Sequence, residues 1–368
     1  MSSFVTRTQT TPVTPAAALS SATGNAAPDP ARLTAFGIDV GYGHTKFATA
    51  SLQRADDGIW QCPVRSFPSV AVARLGGNLR SDALLARSRS LLLDHDGQRY
   101  VVGLDAAQED DGASARALDS NFTRTTEYEL FVKAALLSAN VADSLRTLVL
   151  GVPVNTPDAI EASLKARFTG VISANHRAIT ISAVKVVDQP VAAYLWHVMS
   201  RGQQSSIGER TVLVLDIGYR TIDWVVLRGL APAASRSGST AGGVMRPVQM
   251  LATELSRDTG IDCTSLAMRE RIESALRQGS EHLLVASRTV DLKSYADRLR
   301  RVAQTALAPV WNGIGNAADI SDVLLVGGGG ALYERYVCDA LPNKRVQLVH
   351  EPQFAVARGL QLLAELKQ

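Results

Sequence analysis

The chain lacks several things, and each lack closes off a class of protein. It has three cysteines, Cys62, Cys263 and Cys338, far apart and without CxxC or CxxH spacing. That excludes a disulfide framework and a structural zinc site. No apolar run approaches the roughly 20 residues that span a bilayer. Neither sign of charge dominates: 38 Lys+Arg stand against 35 Asp+Glu, a formal net charge of +3. This balance is too even to mark a direct nucleic-acid binder. Neither GxGxxG nor GxxxxGK[ST] occurs, so the Rossmann and P-loop nucleotide folds are not supported. His44, His95, His176 and His282 have no partner spacing that makes a metal site. Residues 1–32 lack large apolar side chains almost entirely, and TPVTPAAALSSATGNAAPDP cannot offset the entropy of ordering it. This stretch is expected to be a disordered tail. It has neither the basic start nor the apolar core of a signal peptide. A reducing, cytoplasmic setting is expected.

The remainder is built to fold, with 46% hydrophobic and 20% charged residues in 368. That length predicts two α/β domains, each with its own core. The first is expected over 33–205 with an inserted lobe at about 68–120, the second over 206–353 with a lobe at about 256–292. The closing helix, 354–368, is expected to return to the first domain. Spacing predicts helices over Phe122–Ser138, Thr156–Phe168, Pro190–Ser200, Leu332–Ala340 and Phe354–Leu366, and a mostly helical stretch over 244–311. Buried strands are predicted at Thr147–Val152 and Asp322–Val326. The Arg clusters at 87–89 and 298–301 read as solvated helix faces, and Trp196 and Trp224 as core.

Two stretches repeat one pattern. FGIDVGYGHTKFA and LVLDIGYRTIDW each read as strand, Gly-rich turn, strand, and share apolar–Asp–apolar–Gly–Tyr at the turn. An Asp at the end of a buried strand before such a turn points a carboxylate and backbone N–H groups into a cleft. The amides form an anion-binding concavity, and Lys46 adds a point charge. Taken singly, either stretch is also an ordinary hairpin with an Asp-Gly turn. Two of them, one in each half, can clamp a polyphosphate, with each Asp reaching it through a cation or water. Two further glycine runs, Ser239–Gly243 and Gly327–Gly330, each lie before a helix. The first offers N-terminal amides to an anion or ribose.

In order, DVGYGHTK, VVDQPVAAY, DIGYRTIDW, STAGGV, VGGGGALY and EPQFAVARGL resemble the motif set of the actin, sugar-kinase and chaperone ATPase superfamily. The resemblance runs through residues 36–360. Within that superfamily the chain most resembles the actin-like plasmid-segregation ATPases of the ParM/StbA group, with PRTRC-cluster and archaeal-type actin-like proteins as neighbours. It implies an actin-like (ribonuclease H-like) α/β fold, two duplicated domains around a nucleotide cleft, and ATP/ADP with Mg2+ as cofactors.

Carried over residue by residue, the resemblance makes Asp39 a water-mediated metal partner, Lys46 a phosphate contact, and Gly41, Tyr42, Gly43 and His44 a phosphate loop. Asp216 stands near the metal and the attacking water, with Gly218, Tyr219, Arg220 and Thr221 around the last phosphate. Tyr42 and Arg220 are bulkier than the family's usual residues there, and Arg220 can point at phosphate or at solvent. Gly242 and Gly243 would meet ribose and phosphate. Gly328 and Gly329 would lie beneath the nucleotide, with Leu332 beside the base. Glu273, or nearby Arg269, would meet base or ribose. Gln189 falls where a water-positioning residue is expected, and an amide can orient water but not take its proton, which implies slow hydrolysis. Asp188 is the competing base, and before Pro190 it also has the position of an N-cap.

The resemblance implies a filament-forming ATPase for plasmid or DNA segregation. Its partners would be like subunits and an adaptor bound to plasmid DNA, with neither direct nucleic-acid binding nor membrane attachment. The alternatives are a small-molecule kinase or phosphotransferase and a non-polymerising scaffold of the same fold.

Overall fold

The computed structural model describes residues 32–73, 90–103, 121–200, 202 and 210–366. Except for Arg32, the expected tail lies outside them. So do the Arg cluster at 87–89, much of the 68–120 lobe and most of the 201–210 connection.

The first main sheet is built from β1 (Ala35–Val40), β2 (His44–Ala48), β5 (Val64–Pro68), β10 (Thr147–Val152) and β13 (Val184–Asp188). Its order is β13-β10-β1-β2-β5. β1, β10 and β13 run parallel, and β2 and β5 continue antiparallel. Between β2 and β5 lies the small pair β3 (Gln53–Arg54) and β4 (Trp60–Gln61). The described part of the lobe is a sheet of β6 (Ala71–Ala73), β7 (Ser90–His95) and β8 (Gln98–Gly103).

Helix α1 is Thr126–Ser138, beginning four residues later than the periodicity predicts. Phe122–Arg124 forms a 3-10 turn instead, because Thr125 is extended and its hydroxyl accepts the Tyr128 amide as an N-cap. Helix α2, Asp158–Phe168, follows Pro157. A small sheet of β9 (Ser144–Leu145), β11 (Gly170–Ala174) and β12 (Arg177–Ile181) turns at Asn175, which takes a left-handed φ of 51°.

The second main sheet repeats the first. Its strands are β14 (Thr211–Ile217), β15 (Thr221–Arg228), β16 (Ala231–Pro232), β20 (Ile320–Val326) and β21 (Arg345–Leu348). β14 and β15 form the antiparallel hairpin, while β20 adds a parallel strand beside β14 and β21 another beside β20. A sixth strand, β17 (Gly238–Ala241), pairs with β15 and carries the Ser239–Gly243 run into helix α4 (Met245–Thr259). Helices α5 (Leu266–Arg277) and α6 (Ala296–Ile314) follow, but the stretch expected to be mostly helical is broken by a hairpin. Its strands are β18 (His282–Val285) and β19 (Arg288–Asp291), with Ala286 at a left-handed φ of 50° in the turn. No Gly or Asn marks that turn, so the sequence carries no hairpin signal there.

Two helices join the halves. Helix α3 (Gln189–Ser200) follows β13, and α8 (Ala355–Glu365) follows α7 (Gly330–Ala340) and β21. Alternation along β1 sends Phe36, Ile38 and Val40 into one core, while Ala35 faces the helices. β14 divides likewise, with Leu213, Leu215 and Ile217 on one face and Val212 and Val214 on the other. The helix-facing residues of both sheets, with Trp196, Val356 and Leu360, form one shared core. The helices cross at backbone contact: a Cβ on Gly359 would lie 1.9 Å from the Ala192 carbonyl oxygen. Buried Gln361 accepts the Gly37 amide at 2.8 Å and donates to the Ala35 carbonyl, fastening α8 to the central strand. Trp196 and Trp224 are both buried.

Candidate functional site

A cavity of about 640 Å³ lies at the ends of β1 and β14 and is lined from both halves. The two repeated hairpins meet there. In each, three residues join the strands, and the first glycine donates its amide across the turn: Gly41 to the His44 carbonyl at 3.2 Å, Gly218 to the Thr221 carbonyl at 2.9 Å. Ser69 supports the first loop from behind. Its hydroxyl donates to the Gly41 carbonyl at 2.6 Å and its amide to the Gly43 carbonyl at 2.9 Å. Serine 69 has no motif of its own, and sequence reasoning missed it.

Strand pairing sets the electrostatics. Asp39 lies opposite Lys46, and Asp216 opposite Asp223. Buried Asp39 accepts from Lys46 Nζ at 2.9 Å and from Gln189 Nε2 at 2.8 Å. Lys46, expected as a phosphate contact, lines the cavity and meets a carboxylate there. Burial tends to lower the Lys46 pKa, but Asp39, Asp216 and Glu273 outweigh it and hold the amine above its ordinary value. Of the two neighbours at the start of α3, Gln189 reaches the site. Asp188 ends its strand opposite Val152 and does not line the cavity.

Asp216 has no such cation opposite it. Burial, then Asp39 and Asp223, push its carboxyl up to about 8. Asp223 is pushed up to about 6, chiefly by burial. It accepts the Thr221 hydroxyl at 2.6 Å and, across the domains, the Val154 amide at 3.0 Å. Its signal was its place seven residues after Asp216, where a three-residue turn sets the two side chains opposite each other on one face of the hairpin. Among the described residues no three His, Cys, Asp or Glu converge as direct ligands. Three buried carboxylates against one lysine are still an oxygen-only, negatively charged set. That chemistry suits a hard divalent cation held through water.

The cavity brings together Gly41, Tyr42, Gly43, His44, Gly218, Tyr219, Arg220, Thr221, Gly328 and Gly329 from the motifs, and Glu273 from the helical lobe. Gly242, Gly243 and Leu332 do not line it. Gly242 and Gly243 both donate to the Arg220 carbonyl at 3.0 Å, and Val244 and Met245 donate to Gly218 and Tyr219. These four amides, at and just before the start of α4, thus brace the second loop. Leu332 packs between two cores of the second domain. Arg269 does not line the cavity, whereas Arg277, one turn beyond Glu273, does. Gly327 takes a φ of 82°, and a Cβ there would lie 2.3 Å from Asp216 Oδ1. Only glycine lets this turn pass so close to the carboxylate.

Sequence reasoning also missed most of the walls. Leu348, Pro352 and Phe354 give an apolar surface beside Gly328. Phe122, Tyr128, Pro153 and Ile160 wall the first-domain side. There Tyr42 stacks on Phe122 at 4.4 Å between centroids. The buried Tyr128 hydroxyl has no partner among the described residues.

A two-domain fold of repeated topology, with one Asp–Gly hairpin from each half at a shared cleft, defines the class that actin typifies. Residues 37–191 match the family described as actin like proteins, N-terminal domain. Residues 214–336 match the archaeal actin homologue MreB-like C-terminal domain. The chain belongs to the actin-like proteins.

Its fold is similar to that of the archaeal actin homolog Ta0583, with TM-score 0.69 and 21% identity over 90% of this chain and 99% of that one. A Ta0583 complex with ADP gives TM-score 0.66 at 20% identity, covering 90% and 99%. A 15-stranded ParM filament from Clostridium botulinum gives TM-score 0.67 at 17% identity, covering 91% and 99%. The chaperone DnaK of Deinococcus deserti is 29% identical over 227 residues, which are 51% of this chain. The chain spans 35% of that chaperone's length. No helix among the described residues is long and apolar enough to cross a membrane.

Proposed function

We propose that the protein binds and slowly hydrolyses ATP in this cleft and uses the cycle to assemble into filaments that move DNA. The observation that carries the reading is the meeting of the two repeated hairpins at one cavity, with Gln189 already held on Asp39 at 2.8 Å. The base would lie on the apolar surface of Leu348, Pro352 and Phe354, leaving the phosphates to the two loops. Gln189 uses its amide N–H on Asp39, so its carbonyl oxygen is left to orient a water for in-line attack. Asp39, Asp216 and Asp223 face the space where a magnesium ion would hold the phosphates' charge. The relatives support this: one archaeal actin homolog has an ADP complex, and a ParM forms filaments. Contacts that do not close into a ring generate such filaments. The even charge balance favours an adaptor between filament and plasmid DNA, in the cytoplasm.

The test is phosphate release with Mg·ATP alongside ATP-dependent pelleting. Asp216→Ala should abolish release with the fold retained, and Gln189→Ala should slow it and prolong the filaments. Unchanged turnover in both variants would remove the site assignment. Nucleotide binding with no pelleting at tens of micromolar protein would remove the filament.

A further inference from the structure

We infer that an apolar clasp across the cleft gates nucleotide exchange, with Leu266 as its latch. The inference rests on the nucleotide reading of the cleft. Strand alternation in the β6–β8 sheet makes one half of the clasp. Val102 lies between Ala71 and Leu91, and this row faces the first-domain core. Val101, one residue back, lies between Val72 and Leu92 and so faces the other way. Leu266, from the second-domain lobe, packs on that second row and on buried Val70. It is the first residue of α5, set there by Ser265, whose hydroxyl accepts the Met268 amide as an N-cap.

Both halves of the clasp lead into the cavity. Val70 follows Ser69, whose hydroxyl and amide hold the first hairpin loop at the Gly41 and Gly43 carbonyls. From Leu266, one face of α5 passes through Glu273 to Arg277, and both of these line the cavity. Glu273 stands seven residues from the latch, about 10 Å along the helix. None of the clasp residues themselves lines the cavity.

The two sides of the cleft are joined at the helix crossing, where backbones touch, and again at this clasp. Polar ties also span the cleft. Arg220 donates to the Tyr42 hydroxyl at 2.6 Å, and the Val154 amide donates to Asp223. Such groups can exchange their partners for water as the sides part. The clasp cannot, because parting it bares Val70 and Val101. Its cost therefore falls on the opening step. The clasp makes no contact with a ligand in the cavity, so it contributes alike to a closed cleft with nucleotide and to one without. It sets how fast nucleotide enters and leaves and hardly changes how tightly it is held.

Stopped-flow binding and chase of a fluorescent ATP analogue with Mg2+ tests this on the full chain, in wild type, Leu266→Asp and Val72→Ala. Leu266→Asp removes the apolar contact and keeps the helix start, since an acid suits the first turn. It should speed association and dissociation alike by about tenfold, with Kd within about twofold of wild type. Val72→Ala trims the other half of the clasp and should speed both rates by about threefold. Unchanged rates in both variants overturn the gate and leave the nucleotide site standing. So does faster dissociation with association unchanged, which is a loss of affinity and not of a barrier. A wild type that binds no nucleotide would instead fell the reading of the cleft, and the inference with it.

Discussion

The two hairpins at the cleft are the same object built twice, and they differ at two positions that matter. Both join their strands with three residues, and both place an Asp two residues before the first turn glycine. Seven residues after that Asp, the first hairpin has Lys46 and the second Asp223, in the same cross-strand position. One carboxylate is therefore neutralised within its own hairpin. The other faces a second acid and is pushed up to about 8 by burial and its neighbours. At the third turn residue the first hairpin has Gly43 and the second Arg220, so one loop leaves room and the other reaches across. A single backbone plan thus gives one loop a settled charge and the other a demand for a cation.

Breaking the settled pair should have the largest effect. Lys46→Ala leaves buried Asp39 with Gln189 alone, and should cost about 3 kcal/mol in urea unfolding as well as nucleotide binding. A variant within 0.5 kcal/mol of wild type, by the same about ±10% measurement, would mean the two hairpins do not differ as described.

Relieving the unsettled acid should act the other way. The folded-state pKa of Asp216 is raised, so between about pH 4 and pH 8 the folded chain holds the extra proton. Stability therefore falls as pH rises through that window. Asp216→Asn should remove the slope, stabilising the protein by about 2 kcal/mol at pH 8 and hardly at all at pH 5. The same proton competes with a cation. The Mg2+ dependence of nucleotide binding should weaken as pH falls below about 8. A pH-independent Mg2+ requirement between pH 6 and 8 would contradict this.

Asp223 should show a smaller version. Asp223→Asn keeps an oxygen for the Val154 amide, so thermal unfolding should shift by about 1 kcal/mol or less. Its share of the pH slope should centre near 6 and disappear. The smallest change is expected outside both hairpins. Tyr128→Phe removes a buried hydroxyl without a partner and should leave stability equal or raised by up to about 1 kcal/mol.

How much of this was legible depends on how far apart the contributing residues lie. The hairpins could be read because strand alternation and a glycine turn are local signals. The α4 amides could not: a Gly pair before a helix looks the same whether its N–H groups face a ligand or a neighbouring loop. The choice between Asp188 and Gln189 was likewise open, since a one-residue difference in where β13 ends decides which side chain enters the cleft. The β18–β19 hairpin was missed because Ala286 carries its left-handed turn without the residues that normally announce one.

The sequence by itself determined the doubling, the α/β character, the two Asp–Gly turns and the family resemblance they carry, because each is a short-range pattern of side chains and backbone freedom. Only the tertiary structure decided the charges and the contacts of the site. Gln189 is 150 residues from Asp39, and Arg220 is 178 from Tyr42. Their meeting depends on two helices crossing at Gly359 and on a core shared by both sheets. The shift at Asp216 depends on burial beside two other acids, Asp39 and Asp223, which no linear spacing specifies.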